Sequence, residues 1–361
     1  MPADAERIAQ LSRRFAAFAG GEGRLSSPLY ARLARGVAED PPLLALAAAA
    51  TAHPVPNLLF GAVQYLLAQG ADLDLARFYP TLTPDPETTG DPYPRFHAFC
   101  LAHADAIRAI LTTRLVQTNE VRRCACLLPA FALAAGTAPG RPLALIEVGA
   151  SAGLNLLWDH YAYDYGDGRM YGAAGSPVRL HCTLRGSHRP PLPGPLPVIA
   201  ARQGLDLHPV DLTDPDAVAW LRALIWPEHR ARLALLDAAV AVARQARPPV
   251  LAGDALDLLP SLLAAAPDAA LLCVYHTFTL NQFTPDGRAA FDALLRAASA
   301  RRPIVRIAIE HRQGEFADVA LTVYRAGAAV ERTLAYCNPH GEWMEWLDAG
   351  TPSPIPAEAR L

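Results

Sequence analysis

Residues 147–153 read Glu-Val-Gly-Ala-Ser-Ala-Gly, between an apolar run beginning at Leu143 and an apolar-periodic stretch that reaches Trp158. The pattern is that of a strand, a tight turn through Gly149, Ser151 and Gly153, and a helix start. Such a turn offers backbone N–H groups at the positive end of a helix, and its glycines let a ligand approach the main chain closely. The same residues also place Ser151 at a sharp strand-to-helix corner, where a hydroxyl can serve as a nucleophile. Packing alone is a third use for small residues here.

Two named chemistries therefore compete. Glu147 to Gly153 is a variant of the acid-x-Gly-x-Gly-x-Gly loop that cradles the amino-acid and ribose parts of S-adenosylmethionine, while Gly149-Ala150-Ser151-Ala152-Gly153 is a literal G-x-S-x-G nucleophile elbow. Further polar groups sit at predicted element ends. In Val116 to Arg123, Thr118 or Asn119 can cap the following helix, or Gln117, Asn119 and Glu120 can point into a ligand site. Glu310-His311 and Asn338-Pro339-His340-Gly341 lack any fixed metal-ligand spacing, so no metal is expected, and the latter reads as a turn. Trp343 and Trp346, and elsewhere Tyr161, Tyr163 and Tyr165, can wall an apolar pocket or pack at a domain boundary.

Positioning these groups requires two kinds of architecture. From Ala3 to about Gly136 apolar residues recur at three- and four-residue spacing, with cap-proline starts at Ser27-Pro28 and Asp91-Pro92. An all-helical domain over 1–138 is expected. From 139 to 361 strands and helices alternate, which predicts a mostly parallel sheet with helices on both faces. The predicted strands are Leu143 to Val148, a segment within Val198 to Asp211, Val250 to Ala252, Ala269 to Tyr275, Ile304 to Ile309, Asp318 to Arg325 and Val330 to Cys337. Helices open at Asp214-Pro215, Pro227, Gly253-Asp254-Ala255 and Thr284-Pro285. The last two strands form an antiparallel pair at the sheet edge. In a Tyr-, Gly- and Pro-rich insertion, about 161–197, Val178 to Leu184 alternates like an exposed strand, and a hairpin or excursion outside the core is expected.

Bulk composition narrows the classes. With 361 residues, 52% hydrophobic and 19% charged, the chain buries a sizeable core. A net charge of -3 provides no field for nucleic acid. Every cation other than histidine is Arg, which excludes a lysine Schiff base. The six cysteines show no C-x-x-C and read as buried, reduced thiols. The N-terminus lacks signal-peptide features, and the apolar runs Leu43 to Ala52 and Leu127 to Ala138 are too short to span a bilayer, so a cytoplasmic protein without membrane partners is expected.

Over Leu143 to Cys337 the chain resembles Rossmann-like S-adenosylmethionine-dependent methyltransferases, with the glycine turn on the first strand of a doubly wound, seven-stranded sheet and a closing antiparallel hairpin. More narrowly, Gln117 to Glu120, Glu147 to Leu156, Asp211 to Asp216 and Asn338 to Trp343 look like a bacterial family of uncharacterised proteins, domain of unknown function 2332. The methyltransferase resemblance implies that Glu147, Gly149, Ala150, Ser151 and Gly153 belong to the cofactor loop. It implies that Asp206 or Asp211 bonds the ribose hydroxyls and that Asp254 with Ala255 holds the adenine edge. Ser151 departs from the pattern by standing where the middle glycine belongs.

Methyl transfer from a sulfonium is an in-line displacement, so positioning and water exclusion are the protein's main tasks. A hydroxyl or amine acceptor also needs a general base, for which His276 just past a strand end is the first choice, followed by Glu120 and His311. Gln117, Asn119 and His340 are the expected contacts to a small-molecule substrate. The expected activity is methylation of a small molecule. The alternatives are a Ser151 esterase or amidase, with Asp254 or Asp286 and His311 or His340 as partners, and a non-catalytic ligand-binding protein on the same fold.

Overall fold

The computed structural model describes residues 2–311 and 316–347. Two compact units divide it, one formed by residues 1–118 with 213–236 and the other by 119–212 with 237–361. The first unit is helical. Its helices include Pro2–Gly20, Pro28–Ala38, Val55–Ala68, Tyr93–Ala102 and Pro215–Ala223. Cap chemistry sets several of these starts: Ser27 accepts from the Tyr30 N–H ahead of Pro28, and Asp91 accepts from the Tyr93 N–H, so that helix begins one residue after Pro92. Phe15, Tyr30, Phe60 and Phe96 fill the unit's core.

The second unit is α/β. Its strands are β1 (Leu143–Val148), β2 (Ala162–Asp164), β3 (Met170–Gly172), β4 (Arg179–His181), β5 (Thr183–Arg185), β6 (Ile199–Asp206), β7 (Val250–Ala252), β8 (Leu271–Thr277), β9 (Ile304–Glu310), β10 (Ala317–Arg325), β11 (Ala328–Cys337) and β12 (Trp343–Trp346). One large, mostly parallel sheet takes nine of them in the order β5-β12-β11-β10-β9-β8-β1-β6-β7, and β3-β2-β4 make a small second sheet. The sheet thus exceeds the seven strands expected. Two short strands account for the excess: β12 pairs antiparallel with β11, and β5 pairs parallel with β12. The β10–β11 hairpin is consequently flanked on its outer side and does not end the sheet.

The insertion also departs from expectation. Val178 to Leu184, expected as an exposed hairpin or excursion outside the core, contains β4 and β5, and Val178, Leu180 and Cys182 are buried. Three tyrosine hydroxyls tie it down: Tyr161 donates to Leu154 O, Tyr163 to Trp158 O and Tyr165 to Ala125 O. A buried phenol needs such an acceptor, so these rings are core groups and wall no open pocket.

Within the sheet, β1 and β8 are adjacent and parallel, with Val148 opposite His276. The period of two divides their side chains between the faces. Ala144, Ile146, Val148, Leu272 and Val274 pack under helices Ala255–Ala265 and Pro285–Ala298, contributed by Leu259, Phe291 and Leu295. On the opposite face Tyr275 meets Phe131, which stacks on Trp158 with ring centroids 4.5 Å apart. All six cysteines are buried and unpaired. Among the described residues no helix is long and apolar enough to cross a membrane.

Candidate functional site

In the order β7-β6-β1-β8-β9 the chain leaves β1 toward β6 on one side and later fills β8 and β9 on the other. The carboxyl ends of β1 and β8 therefore flank the point where strand order reverses, the usual crevice of an open parallel sheet. The turn after β1 is left-handed at three residues, with φ of 76° at Gly149, 53° at Ser151 and 73° at Gly153. Its N–H groups bond within the protein: Gly149 and Ala150 to Leu205 O, Ser151 to Asp206 Oδ2 at 2.8 Å, Gly153 to Ala150 O and Leu154 to Asn119 Oδ1 at 3.0 Å. The glycines are in close contact as well. A Cβ on Gly149 would collide with the Thr279 side chain, and one on Gly153 would lie 2.9 Å from Val250 Cγ2. Ser151 is 3% exposed, and its Oγ makes no hydrogen bond.

Tertiary structure brings three distant stretches to this end of the sheet. Asn119 reaches the helix start at Leu154, while Glu120 caps the short turn Val121–Arg123 by accepting from the Arg122 N–H at 3.2 Å. The sequence assigns this cap to Thr118 or Asn119, but at Val121–Arg123 it is Glu120 that accepts. Arg123 donates from Nε to Pro339 O (2.9 Å) and from a terminal nitrogen to Thr277 Oγ1 (3.3 Å), and its guanidinium lies 4.3 Å from the Phe278 ring centroid. It joins the end of β8 to the 338–341 turn, where His340 Nδ1 lies 3.6 Å from Glu120 Oε2. Gly341 packs so tightly on the Arg122 backbone that no side chain fits there.

His276 lies inside β8, not past its end, and is 1% exposed. Its Nδ1 is 2.7 Å from Glu310 Oε1, and its Nε2 is buried with no partner. Desolvation lowers the imidazole below its ordinary value, opposed in part by Glu310. For Glu310, burial alone would raise the carboxyl, but the His276 hydrogen bond and charge with the Thr279 and Leu280 N–H groups outweigh it and leave the group below its ordinary value. Glu147 is buried on the opposite face. Desolvation drives it well above the usual carboxylate range, with the Tyr275 hydroxyl at 3.2 Å opposing only in part.

The remaining expected site residues are dispersed. Asp206 ends β6, half-buried, and its carboxylate holds the Ser151 and His208 N–H groups. Asp211 is exposed, Asp254 caps helix Ala255–Ala265 by accepting from the Leu256 N–H, and Ala255 is buried beneath it. His311 donates from Nδ1 to Phe316 O at 3.0 Å and lies edge-on to Phe278. Gln117 belongs to the helical unit.

Sequence reasoning did not single out Arg123, Thr277, Phe278 or Thr279, and it considered Glu310 only for metal. Phe278 adopts φ 56°, which no residue-type signal announces. No curated protein and no solved structure matches the chain. A family model does match over residues 12–346, and by that coverage the chain belongs to the family described as an uncharacterised protein conserved in bacteria (DUF2332).

Proposed function

We propose that the α/β unit is a Rossmann-like, doubly wound domain that binds S-adenosylmethionine and transfers its methyl group to a small molecule. One observation carries this reading. Leu207 is 63% exposed directly after Asp206, and the Gly253 N–H donates to Asp206 O, so Leu207 and Asp254 leave β6 and β7 side by side. An apolar shelf between two carboxylates, next to a glycine turn, fits a flat heterocycle joined to a diol: the ring packs on Leu207 and the acids accept from hydroxyl and amino hydrogens. The methyl donor supplies a sulfonium carbon already activated for displacement. This chain's part is to hold the ring and ribose, orient the acceptor and exclude water.

The Ser151 hydrolase reading has less support, since the hydroxyl is sealed and among the described residues no imidazole lies within hydrogen-bond reach to take its proton. Fluorophosphonate labelling lost in Ser151→Ala would revive it. The tight packing of Thr279 on Gly149 favours the non-catalytic alternative, in which the turn is filled by the protein itself.

Thermal denaturation with and without S-adenosylhomocysteine tests the proposal. Binding to the folded state stabilises by about 2.7 kcal/mol at a hundredfold excess over the dissociation constant. Leu207→Glu, at an exposed position, and Asp254→Asn, which keeps a helix-capping side chain, are expected to fold and to lose the rise. No rise in the parent at millimolar ligand would sink the proposal.

A further inference from the structure

We propose that Glu120 and His340 form the proton-accepting pair at the carboxyl end of β8, with His340 as the catalytic base and Glu120 as its positioning residue. The reading above supplies only the identity of the methyl donor. His276, the natural first choice from sequence, is sealed between the sheet and Phe291, with Nδ1 committed to Glu310. A base must touch the acceptor, and a ring that is 1% exposed touches none.

His340 has the opposite situation. Its side chain is 39% exposed, while its Nδ1 is buried. Behind that buried nitrogen stands Glu120, whose side chain is 5% exposed. A carboxylate on one ring nitrogen fixes the tautomer and makes the other more basic. The 3.6 Å separation is within ion-pair range and longer than a hydrogen bond, a spacing that tightens as charge develops on the imidazole. Both residues are held from behind. Glu120 accepts from the Arg122 N–H, the His340 N–H donates to Asn338 Oδ1 at 2.7 Å, and Arg123 pins Pro339 O.

In the transfer step an acceptor O–H or N–H gives its proton to His340 Nε2 as the heteroatom attacks the methyl carbon. The carbon–sulfur bond breaks, its electron pair stays on sulfur, and the sulfonium leaves as a neutral thioether. The imidazolium then returns its proton to solvent.

Charged groups around the ring set the expected pH behaviour. Glu120 faces Nδ1; Arg123 bonds to the adjoining carbonyl, Arg122 pairs with Glu342 at 3.4 Å, and His311 lies beyond Phe278. Of these, the Glu120 carboxylate stands 3.6 Å from the ring nitrogen and favours the imidazolium.

Carbethoxylation with diethyl pyrocarbonate, read by peptide mass spectrometry from pH 5.5 to 8.5, tests the pair without any substrate. His340 is expected to react and His276 to stay unmodified in the folded protein. The pH midpoint of His340 reactivity should lie above that of N-acetylhistidine amide measured alongside, and in Glu120→Gln it should fall by about 0.5 to 1 unit. An unreactive His340, or a parent midpoint at or below that of N-acetylhistidine amide, overturns the proposal. So does a Glu120→Gln midpoint that does not move; should that variant not fold, the parent comparison alone decides. The donor reading is judged separately by the thermal rise with S-adenosylhomocysteine, so either can fail while the other stands.

Discussion

Nδ1 of His276 on β8 lies 2.7 Å from Oε1 of Glu310 on the neighbouring β9, and that same oxygen accepts the backbone N–H groups of Thr279 and Leu280. One carboxylate therefore fixes both a sealed imidazole and the turn that packs against Gly149. Removing it leaves several buried donors without an acceptor. Glu310→Ala is expected to lower unfolding free energy by about 3 kcal/mol, measured by urea denaturation, with faster hydrogen exchange at Thr279 and Leu280. Unchanged protection there would show that the carboxylate does not hold the turn.

Acid should destabilise the α/β unit through this pair. The folded His276 value is lowered, so the unfolded chain binds its proton first, and stability begins to fall as pH drops through the ordinary value near 6.5. Glu310 is also depressed, and its contribution is present above the ordinary carboxylate value of 4.5 and lost as pH falls through the lower folded one. Both signs agree. Denaturation midpoints at pH 7.5, 6, 4.5 and 3.5 should decline in sequence, the upper steps through His276, and Glu310→Gln should flatten the step below 4.5.

Glu147 carries the opposite sign. Its folded value is raised by burial, so its contribution is complete below 4.5 and lost as pH rises through the folded value. A neutral carboxyl is well imitated by an amide. Glu147→Gln should therefore raise stability at neutral pH above the parent's, and it should remove the decline that sets in as pH rises above 4.5. A large loss at neutral pH would mean that the ionised form is the one the fold uses.

At the glycine turn two substitutions should act in opposite directions. Gly149→Ala combines φ 76° with a collision against Thr279 and should cost on the order of 2 to 4 kcal/mol. Adding Thr279→Gly should show a favourable coupling of about 1 kcal/mol in a double-mutant cycle, because only the collision is relieved.

Ser151→Gly, by contrast, removes a left-handed non-glycine residue and an unpaired buried hydroxyl. Less the entropy that glycine costs, stability should rise by about 1 kcal/mol. The rise with S-adenosylhomocysteine should persist. Its loss would point back to a role for the hydroxyl.

Much of the fold was legible because it depends on local rules. Ser27, Asp214 and Thr284, each followed by proline, start helices as cap chemistry requires. The apolar runs at Leu143, Leu271 and Ile304 are buried parallel strands, with the glycine turn where the pattern shifts from strand to helix. The two extra strands were not legible. β5 and β12 are three and four residues long, too short for periodicity, and they exist because each finds a partner on the other.

For the candidate site, the sequence by itself determined which residue types were present and which stretches were unusual: the 147–153 turn, the polar run ending at Glu120 and the turn around His340. Tertiary structure alone decided their relations. Register on β8 put His276 and Tyr275 on opposite faces, burying the first against Glu310 and the second against Glu147. Arg123 joined β8 to a turn 216 residues further along, which set Glu120 behind His340. Burial and partnership depend on which strands lie side by side, and those contacts form between residues too far apart in the chain for spacing to encode.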